Sequence, residues 1–204
     1  MDTERQLRRS ARARLLDAAD ELFYAHGIAA TGVDAIIERA EVATASLYKN
    51  FRGKDDLVAA YLVARDERWR QHWEACIARE QDPLDRSLAL FAAMDDWNDG
   101  DASRGCAHVT ASLQLPADHP GRSVAHQHKE HISERLGQLV REAGVPDHHE
   151  ATQDLLLIYE GMFTLLALEL DPDPVGRARD LASWRLSSTR EVGAGTDRPS
   201  SARP

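Results

Sequence analysis

The 204-residue sequence has little cysteine, two residues, and few aromatics, 6%. Cys76 and Cys106 cannot make a disulfide framework, so a reducing compartment suits the chain. Scarce aromatics beside plentiful Ala, Leu, Arg and Glu favour helix over sheet, and no apolar-polar alternation is long enough for a strand. The opening MDTERQLRRSARARLL lacks the apolar run of a signal peptide, because charge interrupts every turn. The longest apolar stretch, Leu155 to Leu170, carries two Glu and is shorter than the roughly 20 apolar residues of a bilayer span. A cytoplasmic protein with no membrane segment is expected. There is no internal repeat, Gly-rich phosphate loop, nucleophile elbow or paired-carboxylate motif, so neither enzymatic activity nor a cofactor is expected.

What the chain does have is unevenly placed charge. Its formal net charge is −9, yet residues 1–55 hold nine Lys/Arg and nine Asp/Glu. The whole excess therefore lies in residues 56–204. Basic residues of the first part cluster at Arg5, Arg8, Arg9, Arg12 and Arg14, then at Lys49, Arg52 and Lys54. An acidic body with local basic patches suits contact with a polyanion at one end only.

Hydrophobic spacing predicts an all-α chain of about nine helices. The first runs from Ser10 to His26, with Leu15, Ala18, Ala19, Leu22 and Phe23 inward and Gly27 as its stop. Thr31 and Asp34 have the spacing of a capping box before a short second helix. A break at 41–43 leads to a third helix ending near Phe51. A long fourth helix extends from Lys54 to about Glu80. The fifth starts at Pro83 and ends at the acidic NDGD, and the sixth covers Arg104–Leu115. The seventh covers Arg122–Ala143, the eighth Asp147–Leu170 and the ninth Pro174–Leu186. Almost no apolar side chains follow, so residues 188–204 are expected to be a disordered tail. The domain reading is a helix-turn-helix over 1–53, then an effector-binding and dimerisation domain over 54–187.

At about 100° per residue, Ala43, Leu47 and Phe51 share the inward side of the third helix. Its outward face is small, hydroxylic and basic. Thr44, Ala45 and Lys49 are placed to meet base edges, and Ser46 and Tyr48 phosphate oxygens. Lys54 with the start of the fourth helix, and Thr31 at the start of the second, are further anion contacts. On its own this helix is equally compatible with an ordinary surface helix. Its place as the third of three short N-terminal helices gives a helix-turn-helix arrangement.

The run from Ala11 to Leu57 resembles the DNA-binding domain of TetR/AcrR-family transcriptional repressors. The carrying residues are LLDAADELFYAHGIAATGVDAI and then Ala40, Val42, Leu47, Tyr48, Phe51, Lys54 and Leu57. Three positions depart from the family pattern: Glu41 replaces the usual Gly, Ala43 a capping hydroxyl, and Asn50 a common His at a phosphate contact. The resemblance implies a regulator, most simply a repressor, that binds a palindromic double-stranded DNA operator and is released by a small-molecule effector. It also implies an effector cavity lined from helices four, five and eight, where Trp69, Trp73, Phe91, Met94, Trp97, Tyr159, Glu160 and Phe163 lie.

The eighth helix is apolar nearly all round and needs cover on two sides. Burial within one subunit is one solution. A homodimer is the other, with Leu157, Gly161, Leu165 and Leu168 facing a second copy and Leu181 and Trp184 of the ninth helix completing the interface. His126, His128 and His131 crowd the seventh helix, with His119 before it. His128 and His131 have metal-ligand spacing, but no Cys or carboxylate is evidently paired with them and no metal site is assigned. DDWNDGD is not a calcium loop, because Trp97 and Cys106 stand at ligand positions. Two rivals stay open: a helical metal-binding protein or enzyme using the helix-seven histidines, and a DNA binder that needs no ligand.

Overall fold

The computed structural model describes residues 10–97 and 105–195. Among them are nine α-helices and no strand: α1 (Ala11–His26), α2 (Val33–Arg39), α3 (Thr44–Asn50), α4 (Lys54–Ile77), α5 (Pro83–Asp96), α6 (Ala107–Gln114), α7 (Pro120–Glu142), α8 (His148–Ala167) and α9 (Pro174–Gly195). The expected all-α class holds. The NDGD segment and Arg104 fall outside the described residues, as does the tail beyond 195. Helix α9 runs nine residues past the expected Leu186, so residues 188–195, expected to be disordered, are helical instead.

Helix starts follow local chemistry. Ser10 accepts a hydrogen bond from the Ala13 N–H (3.2 Å) at the head of α1. Asp82 caps α5 by accepting from Leu84 N (2.7 Å), with Pro83 in the first turn, where its missing N–H costs nothing. The expected Thr31 capping box does not form. Gly32 is the N-cap of α2 and no side chain caps it. The Thr31 hydroxyl instead donates toward Gly27 O (2.8 Å) and Leu22 O (3.2 Å), because the loop after α1 turns it inward.

The break between α2 and α3 is a Schellman motif. Glu41 N donates to Glu38 O (3.1 Å) and Val42 N to Ile37 O (3.3 Å). This geometry needs a left-handed residue, and Glu41 supplies it at φ 51°. The turn thus keeps the positive φ that its missing glycine would have adopted freely. The Arg14 guanidinium donates to the Glu41 carbonyl (3.1 Å), tying the turn to α1.

The chain divides into two compact units. The first comprises Met1–Arg70 and Cys106–Lys129. Its core gathers Leu15, Phe23, Ile36, Leu47 and Phe51 with Leu57, Tyr61 and Leu62 of α4 and Leu115 after α6. Because those α4 and α6 residues share one core with α1–α3, this unit extends beyond the expected boundary at residue 53. Arg65 and Arg68 both bind Asp20, joining α4 to α1. Gln114 of α6 accepts from Ile28 N (3.2 Å), joining α6 to the loop after α1.

The second unit comprises Gln71–Gly105 and Glu130–Pro204. Trp73, Leu90, Phe91, Ile132, Leu136, Leu139, Leu155 and Tyr159 are fully buried in it. Helix α9 packs on α5 and α8, and Arg185 of α9 pairs with Asp154 of α8. No described helix is long and apolar enough to cross a membrane.

Candidate functional site

Helix α3 is held by its buried residues and leaves its outward face exposed. Leu47 (0% exposed) and Phe51 (3%) fix it to the core. Ala43, expected inward with them, is exposed. As the N-cap it precedes the helix and follows extended rather than helical geometry. Thr44, Ala45, Tyr48 and Lys49 are exposed on the outward face, Tyr48 to 59%, and Ser46 and Asn50 are half-buried. Asn50 Nδ2 donates to Ser46 O (2.7 Å), so this donor is engaged within the helix itself. Arg12 and Arg52 are exposed in the same unit, Arg12 lying over the Phe51 ring (5.5 Å).

Of the two remaining expected anion contacts, Thr31 is turned inward and Lys54 stands at the start of α4 as expected. Thr31 is 4% exposed with its hydroxyl spent on backbone carbonyls, so it has no proton left for a phosphate. Lys54 is half-buried at the start of α4, whose first turn also carries Asp55 and Asp56. Asp56 accepts from Arg52 N (3.1 Å) and Asp55 pairs with His119 (3.3 Å). These carboxylates already answer the positive end of that helix. An open pocket of about 260 Å³ lies beside the turn, lined by Arg14, Asp17, Glu21, Arg39 and Glu41 among others.

Of the expected effector residues, Trp69 belongs to the first unit and the other seven to the second. Tyr159 brings several together. Its ring meets Phe91 (6.2 Å) and Phe163 (4.9 Å) edge-on, and its hydroxyl points at Met94 Sδ (3.8 Å). Trp97 is half-buried and stacks obliquely on His72 (5.3 Å). Glu160 and Phe163 are half-buried, whereas Trp73 is fully buried, and its indole N–H meets no acceptor among the described residues. The expected dimer residues present an apolar surface: Leu157 is 73% exposed, Leu168 61%, Leu181 47% and Trp184 65%. Gly161 is exposed as well and Leu165 half-buried.

One cluster escaped sequence reasoning. Cys106, His108 and His128 bring one donor atom each within 4.8 Å of one another. His108 and His128 stack at 3.8 Å, their planes 11° apart. Burial drives His108 down to about 4, so its ring is neutral at physiological pH. Burial pushes the Cys106 thiol up, but the Lys129 charge and a hydrogen bond with His128 outweigh it and bring the thiol to about 7. His128 Nδ1 lies 2.6 Å from Asp66 Oδ1, and Arg70 binds the other oxygen (2.7 Å). The available signal was His128 on the inward Ile132/Leu136/Leu139 stripe, a place where an unpartnered imidazole is costly.

Three short helices with a left-handed turn before an exposed, hydroxylic and basic third helix define a helix-turn-helix DNA-binding protein. A family model described as bacterial regulatory proteins of the tetR family matches residues 15–61. A TetR-family transcriptional regulator from Streptomyces coelicolor is 29% identical and covers 90% of this chain and 96% of its own, with a TM-score of 0.76. The regulatory protein TetR from Rhodobacter sphaeroides is 24% identical over 87% of this chain and 99% of its own, TM-score 0.75. A TetR transcription regulator from Haloarcula marismortui shares the fold at 22% identity, over 87% and 97%, TM-score 0.73. No curated protein matches the chain. Residues 15–61 thus match the tetR-family DNA-binding model, and the chain shares its fold with TetR-family transcriptional regulators.

Proposed function

We propose that the chain is a homodimeric repressor that binds a palindromic operator through α3, in the cytoplasm, and leaves it when a small molecule binds the second unit. The observation that carries this reading is the outward face of α3: Thr44, Ala45, Tyr48 and Lys49 exposed on a helix anchored by a fully buried Leu47. Small residues let the helix enter a major groove, and Tyr48 and Lys49 supply the donors. Ser46, Asn50 and Lys54 stand at its margins. A palindrome read in successive major grooves needs two such helices about 34–36 Å apart, which one subunit cannot supply. Exposed Leu157, Leu168, Leu181 and Trp184 fit a second copy, the assembly typical of this family.

Effector release rests on the second unit. The buried Trp73 donor costs about 1–3 kcal/mol if it stays unsatisfied, and a carbonyl or hydroxyl oxygen of a bound molecule would satisfy it. Such a molecule among Phe91, Met94, Tyr159 and Phe163 acts by favouring one of two conformations. A coupling of about 1–3 kcal/mol lowers operator affinity roughly 5–150-fold. The test begins with an operator selected from a random DNA pool and placed across the promoter of a reporter. Intact protein is expected to retain the operator and silence the reporter, while Tyr48→Ala and Lys49→Ala weaken retention without changing the thermal midpoint. Normal retention by both variants rejects α3 as the reader.

A further inference from the structure

We propose that Cys106, His108 and His128 bind one transition-metal ion of the zinc(II) class, and that occupancy of this site resets the reading helices through α6. The donor set comes first. One thiolate with two imidazoles selects zinc, cobalt or copper(I) over magnesium and calcium, which prefer oxygen. Three protein donors leave a fourth position for water or another ligand.

Both rings are oriented by a fixed partner. Leu62 O can only accept, so His108 Nε2 carries the proton of that 3.0 Å contact and Nδ1 keeps its lone pair. His128 Nδ1–H donates to Asp66, leaving Nε2 as its free ring nitrogen. This is the carboxylate–histidine pairing that sets ring orientation and raises basicity at metal centres. His108 and His128 are 3% and 4% exposed, and Cys106 is half-buried. Binding forms one S–metal and two N–metal bonds and releases the thiol proton to water. No electron changes hands.

The donors now lie within 4.8 Å of one another. Metal bonds of about 2.0–2.3 Å in tetrahedral array set the donors roughly 3.3–3.6 Å apart, and both in-plane lone pairs reach one ion only when the stacked rings splay. Binding therefore moves Cys106 and His108, at the start of α6, relative to His128 on α7. The other end of α6 carries Gln114, bonded to Ile28 N in the loop between α1 and α2. A shift of α6 thus reaches the segment that positions α2 and α3. This coupling rests on the DNA-binding reading above; the metal site itself does not.

The test uses full-length protein, reduced and stripped of metal, titrated with cobalt(II) and then zinc(II). The expected result is one equivalent per chain, a thiolate-to-cobalt charge-transfer band, and displacement by zinc. Cys106→Ser abolishes the band, and Asp66→Asn weakens zinc binding about 10–100-fold. Loss of binding in a His148→Ala/His149→Ala variant, with Cys106→Ser binding as wild type, overturns the site, as does a cobalt spectrum without the sulfur band. A thermal melt of each variant, and the conservative Asp66→Asn, separate loss of ligation from loss of fold. Operator affinity is then read with and without zinc. A change of fivefold or more in wild type, absent in Cys106→Ser, supports the coupling, and equal affinities overturn it. Failure to retain any DNA overturns the helix-turn-helix reading instead, while the cobalt spectrum still reports on the site.

Discussion

Helices α3 and α8 both expose one face, and the two faces ask for different partners. The α3 face offers hydroxyl and ammonium groups with one aromatic, Tyr48. Water solvates it well when alone, and phosphate or base edges replace that water on binding. The α8 face, with its α9 neighbours, offers Leu157, Leu168, Leu181 and Trp184. Water is a poor solvent for it, and only another apolar surface removes that cost. One helix surface is therefore suited to a reversible, salt-sensitive contact and the other to a lasting one.

The sharpest way to break this contrast is to put charge on the apolar face. Leu157→Asp with Trp184→Asp is expected to convert dimer to monomer in sedimentation and, with avidity lost, to lower operator affinity by on the order of 100-fold. The variant keeps its helical circular dichroism, because both side chains are exposed in the single chain. A dimer that survives both charges places the interface elsewhere. Of similar size is the anchor beneath α3. Leu47→Ala removes a fully buried side chain and is expected to cost about 2–5 kcal/mol of stability, read by chemical denaturation. A loss below about 0.5 kcal/mol would show that α3 is not held by its core contact.

On the outward face the expectation reverses: binding falls and stability stays. Lys49→Ala should cost about 1–3 kcal/mol of operator affinity if it reads a base, and reduce the salt slope by about 1 if it holds a phosphate. Its unfolding free energy should stay within about 0.5 kcal/mol of wild type. Measuring affinity across a salt series decides between base and phosphate, and an unchanged affinity removes Lys49 from the interface.

This division of labour along α3 was legible in the sequence, because Leu47 and Phe51 inward with Thr44, Ala45, Tyr48 and Lys49 outward is a short-range pattern of helical period. Thr31 was not legible. Its exposure depended on how the loop after α1 folds back, and that loop aims its hydroxyl at Leu22 and Gly27 carbonyls. The Cys106–His108–His128 cluster was hidden for a related reason. It joins α6 to α7 and borrows Asp66 from α4, 62 positions from His128, so no local spacing announces it. The length of α9 escaped because residues after Leu186 lack apolar periodicity, although the helix continues to Gly195.

The smallest predicted effect concerns the turn that sets α3 against α2. Glu41 adopts φ 51°, where a side chain with a Cβ costs about 1–2 kcal/mol and glycine costs nothing steric. Replacing it with glycine also frees the unfolded chain, which takes back about 0.4–1 kcal/mol. The Arg14 bond is to the Glu41 carbonyl and survives the change. The carboxylate contributes a weak attraction to Arg39, itself largely exposed and already paired with Glu21. Glu41→Gly is therefore expected to stabilise the protein by about 0.5–1 kcal/mol, raising the thermal midpoint by roughly 1–4 °C. Glu41→Ala loses the same charge but keeps the Cβ, so the difference between the two variants isolates the backbone contribution. Equal midpoints for Gly and Ala would mean that the turn does not hold this residue in the left-handed region in solution.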